Sequence, residues 1–187
     1  MRRGKRPIHR RMRPTGQRSM NSKPQMLLRR AHHMMENGEH SGAAKIFEHL
    51  AQGAHDRGRL KIAPNLYLQA ARAQLLSGDK EQGKKNISEG LNIIAVHQRW
   101  SALAHSSQRI LNELDQLGHP ELAEYVSTWL AETLPEPLES YTLPQKEPVN
   151  FPLKCLFCGG AIKPNEIEML DRVTGECPYC GSAIKGD

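Results

Sequence analysis

The chain has 187 residues and a formal net charge of +6, enough length for one ordinary domain or for a repeat array with a small module, and too little for a large enzyme. Aromatic residues make up only 5%, which excludes an aromatic-rich sandwich or a wide aromatic ligand pocket and leaves Leu, Ile, Met and Ala to fill the core. No apolar run approaches the roughly 18–20 residues of a membrane span, and the basic N-terminus does not lead into an apolar stretch of the signal-peptide kind. The expectation is a soluble, cytoplasmic protein without a membrane partner.

Charge is unevenly placed. Residues 1–23 contain nine Lys or Arg (Arg2, Arg3, Lys5, Arg6, Arg10, Arg11, Arg13, Arg18 and Lys23) and no acid, so taking these nine from +6 leaves −3 for residues 24–187. With few large apolar residues and with Pro7 and Pro14 interrupting it, this arm cannot offset its ordering entropy and is expected to be disordered alone. Each Lys or Arg that replaces a phosphate counterion adds salt-dependent affinity, which makes Arg2, Arg3, Lys5, Arg6, Arg10, Arg11, Arg13 and Arg18 candidate contacts for RNA, DNA or the ribosome. The arm has no aromatic for base stacking, so such binding is expected to be poorly sequence-specific. A solvating tail or an arm for an acidic protein are the other readings, and no amphipathic helix supports membrane binding.

From Pro24 the pattern becomes helical. Leu27, Leu28, Ala31, Met34 and Met35 recur at helical steps up to Asn37-Gly38, and Ala43, Phe47, Leu50 and Ala54 form the next stripe. Gly38, Gly78 and Gly118 then fall 40 residues apart, each closing one helical pattern and opening another. Five positions after each comes a small residue, Ala43, Gly83 and Ala123, where a second helix can approach its neighbour, and Phe47, Ile87, Leu91, Val126 and Leu130 follow as apolar anchors. Three helical hairpins are predicted. The second runs over about 60–77 and 79–97, and the third over about 99–117 and 120–133. Pro64 requires either a helix start near Ala63 or a separate turn over 56–62, whereas Pro120 suits a first helical position after His119.

The Gly38-Ala43-Phe47 set, repeated as Gly78-Gly83-Ile87 and in part as Gly118-Ala123, resembles the tetratricopeptide repeat family over residues 24–134. The 40-residue period exceeds the roughly 34 of that family and the usual first-helix aromatics are missing, so a HEAT-like or plain six-helix array is the alternative. The resemblance implies a concave groove for an unidentified protein partner, lined either by Asn65, Tyr67, Gln69 and Arg72 or by the opposite stripe. Residues 135–152 carry five of the twelve prolines and read as a semi-rigid extended linker.

All four cysteines lie in residues 153–187, as Cys155-Leu156-Phe157-Cys158-Gly159 and Cys177-Pro178-Tyr179-Cys180-Gly181, with eighteen residues between the pairs. The two-residue gap turns both thiolates of a pair onto one ion, and the doubled motif completes a closed tetrahedral site. Ile167, Met169 and Val173 are candidate strand residues around a turn at 171–175. The segment resembles zinc ribbons. So small a module lacks an adequate core, and metal binding supplies the missing folding energy. Cys155, Cys158, Cys177 and Cys180 are therefore candidate ligands of one structural zinc ion, with paired disulfides and a rubredoxin-like iron site as alternatives. Four protein thiolates leave no open position to activate water. The ribbon counts five acids against four bases, and zinc with four thiolates adds about −2, which disfavours phosphate contact by its face.

The scattered histidines, His105 near Arg109 and His49 near Glu48 among them, read as surface or interhelical residues. No HExxH, GxSxG, Walker or dinucleotide fingerprint occurs, and no small-molecule substrate is suggested. The expected fold is mainly α, three hairpins of about six helices with a small β zinc ribbon. The expected function is a non-enzymatic cytoplasmic adaptor that binds a protein segment through its helices and docks a second surface through its ribbon. A nucleic-acid- or ribosome-associated factor using residues 1–23 is the alternative.

Overall fold

The structure, a computed structural model, describes residues 23–141, 149–163, 167–170 and 173–186. Six helices follow in order: α1 (Lys23–Glu36), α2 (His40–His55), α3 (Ala63–Leu76), α4 (Lys80–Val96), α5 (Trp100–Gln116) and α6 (Pro120–Thr133). Successive helices pack as neighbours, giving the three hairpins that the glycine period predicts. Both readings of Pro64 hold together, because α3 starts at Ala63 with Pro64 where no intrahelical N–H is needed, and residues 56–62 form a separate turn.

The periodic glycines act through one backbone device. Gly38, Gly78 and Gly118 have φ of +79°, +87° and +74°, a left-handed conformation that costs glycine nothing. The following residue then donates its N–H five positions back, Glu39 to Met34 O (2.8 Å), Asp79 to Gln74 O (2.9 Å) and His119 to Leu114 O (2.9 Å). This satisfies a helix-end carbonyl and reverses the chain. The α4–α5 connection makes the same bond, Arg99 N to Ile94 O at 3.2 Å, but places Gln98 at φ +51° where the period offers no glycine.

The small residue of the second repeat, Gly83, sits at a close approach. A Cβ on Gly83 would lie 2.8 Å from Leu75 Cδ2, so α3 and α4 meet there without room for a side chain. Phe47, Ile87, Leu91, Val126 and Leu130, the predicted anchors, are all buried. They fall into two clusters, one over α3 to α6 and one over α1 to α3 that also takes in Ile93 of α4 and the C-terminal module.

Beyond α6 the chain extends at Leu134 and makes a short 3-10 turn at Leu138–Ser140, so the proline-rich stretch is not extended throughout. Residues 142–148 of that stretch lie outside the described residues. The C-terminal module contains β1 (Glu168–Met169), β2 (Thr174–Glu176) and β3 (Ala183–Lys185), paired antiparallel in the order β1-β2-β3. Ile167 and Val173 flank strands and Met169 lies in β1; of the predicted turn at 171–175, residues 171–172 lie outside the described residues, and Gly175 lies within β2, opposite both Met169 and Ile184. The third strand was not predicted, because three residues are too few to show an alternating pattern.

The ribbon packs directly on the helices. Cys155, Cys158, Ile162, Cys177, Tyr179 and Ile184 belong to the same apolar cluster as Leu28, Ala31, Phe47 and Leu66. Among the described residues, no helix is long and apolar enough to cross a membrane.

Candidate metal centre

Each CxxC folds into the same backbone turn. In the first, Cys155 N–H donates to Gly160 O at 2.8 Å and Gly159 N–H donates to Cys155 O at 2.8 Å. In the second, Cys177 N–H donates to Ser182 O at 2.9 Å and Gly181 N–H donates to Cys177 O at 2.9 Å. Gly159 and Gly181 have φ of +76° and +71°, so the glycine after each motif is required by backbone conformation. The two turns face one another and bring the four cysteines, all buried, to one point.

There the sulfur atoms lie within 4.8 Å of one another, with Cys155–Cys180 and Cys158–Cys177 each at 3.8 Å. Four ligands about 2.3 Å from a central zinc stand about 3.8 Å apart along the edges of the tetrahedron. The four residues are free cysteines, and their spacing far exceeds the disulfide length of about 2.05 Å, so the paired-disulfide alternative is not what the structure holds. The donor set fits one ion of zinc size.

Electrostatics points the same way. Hydrogen bonds from Cys158, Cys177 and Cys180 hold the Cys155 thiol far below the ordinary range, while the same contacts, that to Cys155 foremost, push Cys158 far above it. Protons alone cannot let all four sulfurs ionise together in a buried site. A divalent cation removes that conflict, since a coordinating thiol is deprotonated outright.

The helices grip the two cysteine turns by their backbones. Arg29 of α1 donates from Nε to Phe157 O and from an Nη to Leu156 O, both at 2.8 Å. Asn65 of α3 donates to Pro178 O at 3.3 Å, and Gln69 reaches the Tyr179 hydroxyl at 3.5 Å. All three carbonyls belong to the residues between paired cysteines. Lys154 pairs with Glu36 at the edge of the contact. His32 stands edge-on between Phe47 (5.2 Å) and Tyr179 (5.3 Å), and burial lowers its pKa to about 4. Gly160 closes the contact, because a Cβ there would lie 2.5 Å from Tyr179 Cδ2 and 2.8 Å from His32 Nε2.

Of the residues considered for a groove, Asn65 and Gln69 face the ribbon, Arg72 pairs with Glu113 of α5 at 2.8 Å, and Tyr67 is buried with its hydroxyl 2.9 Å from Gln52 Oε1. The ribbon therefore occupies part of the face formed by α1 and α3. Between α3, α5 and the ribbon a cavity of about 390 Å³ remains, with Arg99, His105 and Arg109 among its lining residues. The arm candidates Arg2, Arg3, Lys5, Arg6, Arg10, Arg11, Arg13 and Arg18 lie outside the described residues.

Searches of the chain against protein-family models, curated proteins and solved structures find no match. The six-helix array with a four-cysteine centre thus rests on its own geometry, without support from a tetratricopeptide family match.

Sequence reading found the four cysteines from spacing alone. It missed Arg29, His32, Asn65 and Gln69 as ribbon contacts. Each is a lone polar residue more than a hundred positions from its partner, and no local periodicity marks such a pairing.

Proposed function

We propose that this chain is a non-enzymatic interaction protein of the cytoplasm in which one structural zinc ion fixes the ribbon against the helical array, so that the two together present a composite surface to a protein partner. The observation that carries the reading is the hydrogen bonding of Arg29 and Asn65 to the carbonyls inside the two CxxC turns, which couples metal-dependent backbone conformation to the face of α1 and α3. Zinc held by four thiolates acts as a crosslink, with no coordination position left for a substrate. Zinc is favoured over iron because the segment between the two cysteine pairs is short and contains no aromatic residue.

The test is affinity capture at moderate salt with the full zinc-loaded chain and with its Cys155→Ser and Cys180→Ser variants. A protein partner held by the first and released by the variants supports the reading. Failure of the full chain to retain any protein defeats it.

A second reading, a nucleic-acid- or ribosome-associated factor, is favoured by a specific observation. The arm joins the folded part at Pro24, and Pro24 lines a cavity whose lining includes Arg57 and Arg59. Steep loss of RNA or DNA affinity with rising salt is its expected signature.

A further inference from the structure

At the N-terminal end of α1, the turn after α2 and the second cysteine turn enclose a cavity of about 320 Å³. Leu28, Leu50, Ile62 and the buried Tyr179 form an apolar wall, Gln25 and the candidate metal ligand Cys180 also line it, and among the described residues no Asp or Glu does. Arg57 and Arg59 stand at its rim, and neither guanidinium has a hydrogen-bond or ion-pair partner among the described residues. The neighbouring acid, Asp56, is engaged by the Gln52 side chain at 2.8 Å. Two cations without an ion-pair partner beside a largely apolar slot, in a folded part whose sequence sums to −3, mark a place for a ligand with a flat apolar body and flanking negative charge.

The chain itself chooses among such ligands. Pro24 lines the cavity, and Arg18 stands six residues upstream in the sequence. Eight cations spread over residues 1–22 with no intervening acid match a ligand whose charges repeat along a backbone, which a phosphate chain provides. A duplex keeps its bases stacked, whereas a single strand can turn one out.

We propose that this cavity is a base pocket for single-stranded nucleic acid, in which one unstacked base enters among Leu28, Leu50 and Tyr179 while Arg57 and Arg59 hold the adjoining phosphates. The site rests on the second reading above and locates it on the folded part of the chain.

The test measures binding of a short labelled RNA homopolymer, its DNA counterpart and an all-abasic strand of equal length to the full zinc-loaded chain, across a salt series. Arg57→Gln with Arg59→Gln is the variant, and its zinc content and helicity serve as the folding control. The proposal expects the abasic strand to bind about tenfold more weakly. It also expects the double variant to reduce the slope of log affinity against log salt by about 1.4, at about 0.7 per released phosphate contact. If the full chain binds no strand at low salt, both the second reading and the pocket fall. Binding with an abasic strand as tight as the homopolymer and a salt slope unmoved in the variant leaves the arm reading standing and overturns the pocket. Displacement of the homopolymer by oligoglutamate of equal charge, with equal affinity, overturns it in favour of an acidic protein partner.

Discussion

The α4–α6 end of the molecule and the cysteine ribbon solve the same problem by different means. In the helical end, Leu103, Ile110, Leu114, Val126 and Leu130 bury one against another, and the chain reverses on single left-handed residues. The ribbon has three strands of two or three residues and few large apolar side chains, so it closes on four sulfurs and borrows the rest of its core from α1 to α3. One region is held by apolar area, the other by a crosslink and a docking face. A change at the metal centre should therefore reach α1 and the start of α3 and stop short of α4 to α6, and a change in the array's far end should leave the metal alone.

The largest expected effect breaks the crosslink. Cys155→Ser or Cys180→Ser should lose most of about one zinc per chain, measured by elemental analysis, and unfold the ribbon while far-ultraviolet circular dichroism keeps most of its helical signal. Full zinc content in either variant would refute the ligand assignment. Next comes the opposite cut. Leu103→Ala removes a fully buried side chain of α5 and should lower unfolding free energy by about 2–5 kcal/mol in denaturant, with zinc content unchanged. Zinc loss in that variant would show that the two regions are not separable.

His32 sharpens the comparison at the seam. Its pKa is lowered from 6.5 to about 4, chiefly by burial, with Lys154 adding to the fall and Glu36 and Cys155 opposing it. The neutral ring is favoured when folded, so this contribution is complete above about pH 6.5 and is lost as pH falls through the window down to about 4. Between pH 7.5 and 5 the loss amounts to about 2 kcal/mol. His32→Phe keeps a ring between Phe47 and Tyr179 and cannot take a proton, so its stability should fall less over that range than that of the parent chain. Parallel pH profiles would contradict this role. The smallest effect lies at the one connection between successive helices that departs from the glycine rule. Gln98→Gly should stabilise the chain by about 1 kcal/mol, read as a rise in denaturant midpoint, because φ +51° strains any residue with a Cβ.

Much of this arrangement is legible in the amino-acid sequence, and the illegible part has a physical reason. Gly38, Gly78 and Gly118 announce the hairpins because a left-handed helix end selects glycine, and Cys-x-x-Cys-Gly announces the metal turns because two sulfurs must converge on one ion. Residues 24–134 show their helices through burial at helical spacing. Gln98 hides the α4–α5 connection from the glycine pattern, and Ala183–Lys185 is too short to show as a strand. Docking of the ribbon on α1 and α3 is invisible for a deeper cause. It depends on Arg29 and Asn65 reaching backbone carbonyls, and a carbonyl carries no sequence signature.

The central claim is that metal binding at the four cysteines fixes the ribbon against α1 and α3. Amide hydrogen exchange of the full chain, mapped by segment before and after zinc removal with a chelator, tests it most directly. Faster exchange in residues 153–186 together with α1 and the start of α3, and unchanged exchange in α4 to α6, is the result the account predicts. Faster exchange confined to the ribbon, with α1 and α3 as protected as before, would contradict it.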